Sequence, residues 1–192
     1  MSIGDAEIKT QERVIRFFKD PEILGYQYIG NLSDQQNKNI KEDRLRQYLR
    51  LKGYADKLID AAVMQLQQEA GNLSRGLYDA NKTVYSRLKY GIPVSESPEK
   101  SPVTVQLIDE ENPLNNDFAI AEEVTVVEQS EKRPDLVVYL NGVAVAVIEL
   151  KRSSISVSEG IRQNLTNQKN SFIQDFFSTM QFCMAGNESE GL

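Results

Sequence analysis

Three charged residues in one stretch of this chain have the types and spacing to do chemistry: Asp135, Glu149 and Lys151. Asp135 follows Arg133-Pro134 at the mouth of the apolar run 136–140, and Glu149 and Lys151 close the apolar run 143–150. Two carboxylates brought together repel, and each becomes harder to ionise unless a cation joins them. Mg²⁺ answers that need, because it takes oxygen ligands, keeps several waters and accepts one or two protein carboxylates. A metal held there polarises a phosphate oxygen and lowers the pKa of a bound water, while an ammonium stabilises developing negative charge. The set therefore suits metal-assisted phosphodiester cleavage. Asp135 and Glu149 are the expected metal ligands, the backbone carbonyl of Leu150 a third, and Lys151 the charged assistant. Glu149-Leu150-Lys151 by itself reads as an ordinary solvated strand end; Pro-Asp, a hairpin and Glu-x-Lys in succession single it out.

The elements that must position these groups are two strands joined at Asn141-Gly142, the strongest short hairpin signal. The runs are rich in Val, Ile and Tyr, as strands are. The second stays apolar until Glu149, which fits a central strand buried on both faces. Register decides whether the acids meet. A plain two-residue loop with Leu140 opposite Val143 places Asp135 opposite Ile148, and the acids point to opposite faces. A loop of Leu140-Asn141-Gly142 closed by Tyr139 and Val143, with Gly142 left-handed in a bulge, puts Glu149 diagonal to Asp135 on one face, about 7–8 Å away. An odd loop or a bulge is therefore predicted, with Lys151 on the face of Glu149.

Composition narrows the alternatives. The 192 residues include no histidine, which removes Ser-His-Asp triads, Cys-His pairs and most zinc sites. Acid-base work falls to carboxylates, lysines or metal-bound water. The single cysteine, Cys183, has no partner for an intramolecular disulfide and reads as a core thiol in Phe182-Cys183-Met184. No apolar run is long enough to span a membrane, and no charged-then-apolar leader opens the chain; a cytoplasmic location is expected. The net charge of −6 argues against a stand-alone nucleic-acid binder and predicts weak isolated affinity for DNA.

The rest of the chain reads as a helical part, about 10–90, followed by a catalytic sheet and further helices, about 91–192, within one domain. Residues 1–9 read as frayed. A helix begins near Thr10, with Glu12 in its first turn either favoured by the helix dipole or serving as an auxiliary acid. Residues 25–29 read as extended, and helices are predicted over about 40–51, 55–69 and 77–90. Arg44, Arg46, Arg50, Arg75 and Arg87 in this part read as solvated faces, with DNA tracking as the other reading. Strands are predicted over 103–108 and 117–127, with Asn112 and Asn116 holding turns between them. Ser156-Val157-Ser158-Glu159 is a capping box for a helix whose apolar stripe is Val157, Ile161, Leu165 and Phe172; Gln163 and Asn167 lie opposite that stripe. A further helix over 172–179 and a strand over 181–185 complete the reading. No closing element follows, as expected of a segment of a longer protein, and no Gly-rich phosphate loop is present, so any ATPase lies elsewhere.

At Arg133-Pro134-Asp135 and Val147-Ile148-Glu149-Leu150-Lys151 the chain resembles the PD-(D/E)xK nuclease superfamily, and more narrowly the N-terminal region of the restriction (R) subunit of type I restriction-modification enzymes. The segments 107–118, 158–164 and 184–192 are also similar to that family, and the resemblance runs from about Thr10 onward. It implies an α+β (α/β) restriction-endonuclease-like core, a central mixed sheet flanked by helices. It implies Mg²⁺-dependent cleavage of double-stranded DNA away from the recognition site, in a complex with methyltransferase and specificity subunits. The ATP-driven motor domains of such a subunit lie outside this chain. The resemblance implies Asp135, Glu149 and Lys151 as catalytic residues and Gln163 as an assistant. Many members carry Gln-x-x-x-Tyr on the next helix; here Gln163 is followed by Asn167 at the tyrosine position. An inert nuclease-like module that docks the motor to its partners is the alternative function.

Overall fold

The computed structural model describes residues 5–97 and 99–189. The first four residues of the expected frayed end, Pro98, and residues 190–192 of the closing segment lie outside that range. Five helices occur among the described residues: α1 (Asp5–Lys19), α2 (Glu42–Leu51), α3 (Asp56–Ala70), α4 (Leu77–Tyr90) and α5 (Val157–Asn167). The strands are β1 (Gln27–Asn31), β2 (Ile92–Val94), β3 (Val103–Val105), β4 (Phe118–Glu122), β5 (Val126–Val127), β6 (Glu131–Lys132), β7 (Leu136–Leu140), β8 (Val143–Leu150) and β9 (Phe182–Gly186). Residues 5–9, expected to fray, are the first turns of α1.

The main sheet has the order β1-β4-β7-β8-β9. β1 runs parallel to β4, β4 and β8 run antiparallel to β7, and β9 runs parallel to β8. This is the mixed sheet that was expected, but it is not confined to the second half of the chain, because α1 and β1 from the first half belong to it. The strand expected over 117–127 is broken at Glu123, whose φ is +51°, into β4 and the separate β5–β6 pair. The strand expected over 103–108 is shorter and pairs with β2.

Three apolar clusters hold these layers together. One face of the sheet packs Ile120, Leu136, Ile148 and Leu150 against Ile15 of α1. The other packs Val137, Tyr139, Ala144 and Val147 against Ile173, Phe176 and Phe177, around a 3-10 helix (Asp175–Thr179) where a further helix was expected. A third cluster joins α2, α3 and α4 to β2 and β3, and Val143 at the hairpin's end reaches into it. α3 presents Leu58, Ile59, Ala62, Val63, Leu66 and Ala70 to this cluster, the one-sided spacing of a helix with a buried stripe.

The hairpin is fixed from outside. Asn141 and Gly142 both have positive φ, +51° and +84°, as a type I′ turn requires. Asn141 is fully buried; its amide donates to Leu107 O and Asn116 Oδ1, each at 2.8 Å, and its Oδ1 accepts from Asp117 N at 2.7 Å. A Cβ on Gly142 would stand 2.7 Å from both Leu45 N and Lys41 O, so only glycine lets the start of α2 approach. Asn116 holds its own turn, as expected, by donating to Asp109 O and Pro113 O.

Candidate metal-dependent site

The turn closes with two residues, Leu140 opposite Val143, and the irregularity falls one step further along. Val138 pairs with Ala146 while Tyr139 pairs with Ala144, which leaves Val145 as the extra residue of a bulge in β8. The three-residue loop is thus replaced by a tight turn plus a bulge, and Gly142 is left-handed in the turn rather than in the bulge. The bulge explains why Ala144 and Val147, three residues apart, share one apolar cluster. Leu136 pairs with Ile148, so the same register places Asp135 opposite Glu149. The two acids are direct cross-strand neighbours, about 4.5–5.5 Å apart at Cβ, closer than the diagonal placement expected.

Glu149 is fully buried. Its Oε2 accepts a 2.7 Å hydrogen bond from Gln163 Nε2 and lies 3.8 Å from Lys151 Nζ. Its Oε1 is buried with no hydrogen-bond partner among the described residues. Burial above all, then the charge of Asp135, push its pKa up to about 8 against the opposing pull of Lys151, with a side-chain contact to Asp135 and the charge of Glu123 adding smaller amounts in the same direction. Asp135 Oδ2 accepts from Leu150 N at 2.6 Å, which ties the acid to the end of β8. Lys151 Nζ donates to Leu150 O at 3.1 Å, so the carbonyl expected as a metal ligand faces that ammonium.

The position of Gln163 depends on Gly160, one turn earlier. A Cβ on Gly160 would lie 2.8 Å from Ala185 Cβ and 3.6 Å from Glu149 Cβ, so the missing side chain lets α5 lie against β8 and β9. Helix α5 is oriented against the expected stripe. Ile161 and Leu165 are 50% and 60% exposed, while Gly160, Asn164 and Asn167 are buried. Asn164 donates to Met184 O at 3.0 Å. The inward face is polar because a buried carboxylate and strand carbonyls must be hydrogen-bonded. Ser156 caps the helix as predicted, accepting from Ser158 N.

Glu12 lies on the exposed side of α1. The side chain that α1 brings to the sheet is Gln11, whose amide donates to Glu122 Oε2 at 2.9 Å and Glu123 Oε1 at 3.3 Å. Tyr28 OH donates to Glu122 Oε1 at 2.6 Å, and burial, with this carboxylate adding to it, pushes the phenol up to about 12. Glu123 also pairs with Arg133 at 2.9 Å, and its N–H donates to Asp135 O at 2.8 Å. The Glu122-Glu123 pair, a clamp behind Asp135, falls within the strand expected over 117–127. Two adjacent acids inside the apolar run 118–127 were the one signal for it. Cys183, expected in the core, is exposed on the edge strand β9.

A divalent cation fits this donor set. One fully buried carboxylate has an orphaned oxygen and a hindered ionisation, a second carboxylate faces it, and both are hard oxygen donors. Among the described residues no three His, Cys, Asp or Glu side chains converge on one point. Two carboxylates suit Mg²⁺, which fills the rest of its octahedron with water and substrate oxygens.

Comparison with known proteins bears on what this arrangement serves. The family described as "Type I restriction enzyme R protein N terminus" matches residues 7–192. The chain is also similar to the "Putative type I restriction enzyme MjaIXP endonuclease subunit" of Methanocaldococcus jannaschii, at 33% identity over 96 residues. That match covers 46% of this chain and 9% of that protein. No helix among the described residues is long and apolar enough to cross a membrane.

Proposed function

The chain belongs to the family of type I restriction enzyme R protein N-termini, and from that membership we propose that it is the module that cuts DNA. The reaction is Mg²⁺-dependent hydrolysis of phosphodiesters in double-stranded DNA. The module works in a restriction-modification complex with an ATP-driven motor and with methyltransferase and specificity subunits. The observation that carries this reading is the opposition of Asp135 and Glu149 across the register of β7 and β8, with one buried oxygen of Glu149 left without a donor among the described residues.

Asp135 and Glu149 would hold the ion, with the Leu150 carbonyl beside them. When bound, Mg²⁺ supplies a polarised phosphate oxygen and a more acidic water. Lys151 presents its ammonium at the edge of the site, where it offsets charge that builds on the phosphate in the transition state; removing such a donor costs about 10²–10³ in rate. Gln163 holds Glu149 in one orientation through its amide, and Leu150 N does the same for Asp135.

The test is plasmid cleavage by the assembled enzyme carrying Asp135→Ala or Glu149→Ala. Double-strand cutting is expected to vanish, while ATP hydrolysis and translocation continue. Retained cutting overturns the assignment. Failure of the chain to bind Mn²⁺ in calorimetry supports the inert docking module instead.

A further inference from the structure

The arginines that could have tracked DNA are taken. Arg44 pairs with Asp117, Arg46 with Glu42 and Asp60, Arg50 with Asp56, Arg75 with Asp79, and Arg87 with Glu69, at 2.5–3.2 Å. A different stripe is left on α4. Tyr78, Lys82, Tyr85 and Lys89 follow one another at spacings of four, three and four, so they line one side of the helix. All four are exposed, Tyr78 by 76%. Lys82 forms no ion pair among the described residues, and Lys89 sits over the rings of Tyr85 and Tyr90 at 5.9 and 5.4 Å. The neighbouring acid, Asp79, is occupied by Arg75.

This stripe begins at a cavity that reaches the edge strand β9. Tyr78 lines a cavity of about 390 Å³ together with Gln168, which follows α5, and Cys183 of β9. Cys183 pairs with Val147 and Ala185 with Glu149. The cavity therefore lies two strand residues, roughly 7 Å, from the level of Glu149. Cavity and site share the face of the sheet covered by α5.

We propose that α4 and this cavity form a groove for an unpaired DNA strand beside the cut, with bases stacking on Tyr78 and Tyr85 and phosphates meeting Lys82 and Lys89. Alternating exposed rings and uncompensated ammoniums match the alternation of base and phosphate along a single strand. A closed duplex hides the base faces that the rings need. The inference rests on the nuclease reading and names the form of substrate that the site handles.

The experiment is fluorescence polarisation of a labelled single-stranded oligonucleotide, and of the matching duplex, against the chain in EDTA. The single strand is expected to bind more tightly than the duplex. Tyr78→Ala is expected to weaken single-strand binding roughly tenfold. Lys82→Gln with Lys89→Gln is expected to flatten the dependence of log K on log salt by about 1.4. Parent-like binding by the α4 variants, no measurable binding by the parent, or equal losses on duplex and single strand each overturn the groove. Those results leave the nuclease assignment standing if Asp135→Ala still abolishes plasmid cutting in the assembled enzyme. Retained cutting there, with weakened binding by the α4 variants, removes the nuclease and keeps the groove.

Discussion

Gln163 donates its amide to Glu149 at 2.7 Å, from a helix turn that begins at a glycine pressed against the same strand. That bond falls on one carboxylate oxygen, and the other has no hydrogen-bond donor among the described residues. Gln163→Ala should loosen Glu149 without removing a charge. Losses of an orienting partner of this kind weaken metal affinity by about 10–100-fold, measurable as Mn²⁺ binding by calorimetry. Unchanged affinity would mean that the amide only fills space.

Gly160→Ala adds one methyl group 2.8 Å from Ala185 Cβ. Helix α5 must lift, and Gln163 with it. The variant should fold, because only α5 has to shift, yet lose Mn²⁺ affinity and cutting nearly as Gln163→Ala does. Parent-like Mn²⁺ binding in Gly160→Ala would show that the helix's close approach is not what sets the carboxylate.

The acidity of Glu149 links stability to pH. Its folded pKa is raised from the ordinary 4.5 to about 8. Between those values the folded chain holds a proton that the unfolded chain has released, so unfolding becomes easier as pH rises through that window. Thermal melts should therefore show stability falling from pH 5 toward pH 8. Glu149→Gln, which cannot ionise, should flatten that fall. Mn²⁺ should raise the Tm of the parent more at pH 8 than at pH 5, where the proton occupies the ion's place. A parent melting profile as flat as that of Glu149→Gln would remove the link.

Asn141→Ala strips three side-chain hydrogen bonds from a buried turn and leaves a left-handed φ without its usual residue. Orphaning the partners costs roughly 3 kcal/mol, or a Tm lower by about 6–12 °C for a domain of this size. A Tm within one degree of the parent for Asn141→Ala would contradict the anchoring role.

Much of this arrangement could be read from residue types. Asn141-Gly142 announces the hairpin, Pro134-Asp135 and Glu149-Leu150-Lys151 mark its open end, and Ser156 marks the start of α5. Other features left no trace in the sequence, for physical reasons. β8 is apolar on both faces, so alternation cannot show where Val145 slips out of register. Periodicity along α5 shows which residues share a side but not which side turns inward; the buried carboxylate of Glu149 decided that in favour of the amides over Ile161 and Leu165. Cys183 looked like a core residue from its neighbours, but β9 is an edge strand and leaves it exposed. Gln11 and Glu12 differ by one step along a helix, which turns a side chain by about 100°, and only the packed structure shows that Gln11 is the one that meets Glu122 and Glu123.

The single unpaired residue at Val145 also sets the parity of the hairpin. Between Asn141 and Glu149 an even count and an odd count send the carboxylate to opposite sides of the sheet, while the surrounding valines and alanines suit either side almost equally. Losing one of them lets the strand pair without a bulge and keeps Glu149 opposite Asp135, whereas gaining one with the bulge still in place turns the carboxylate away, so insertions in this strand should cost cutting more than deletions do.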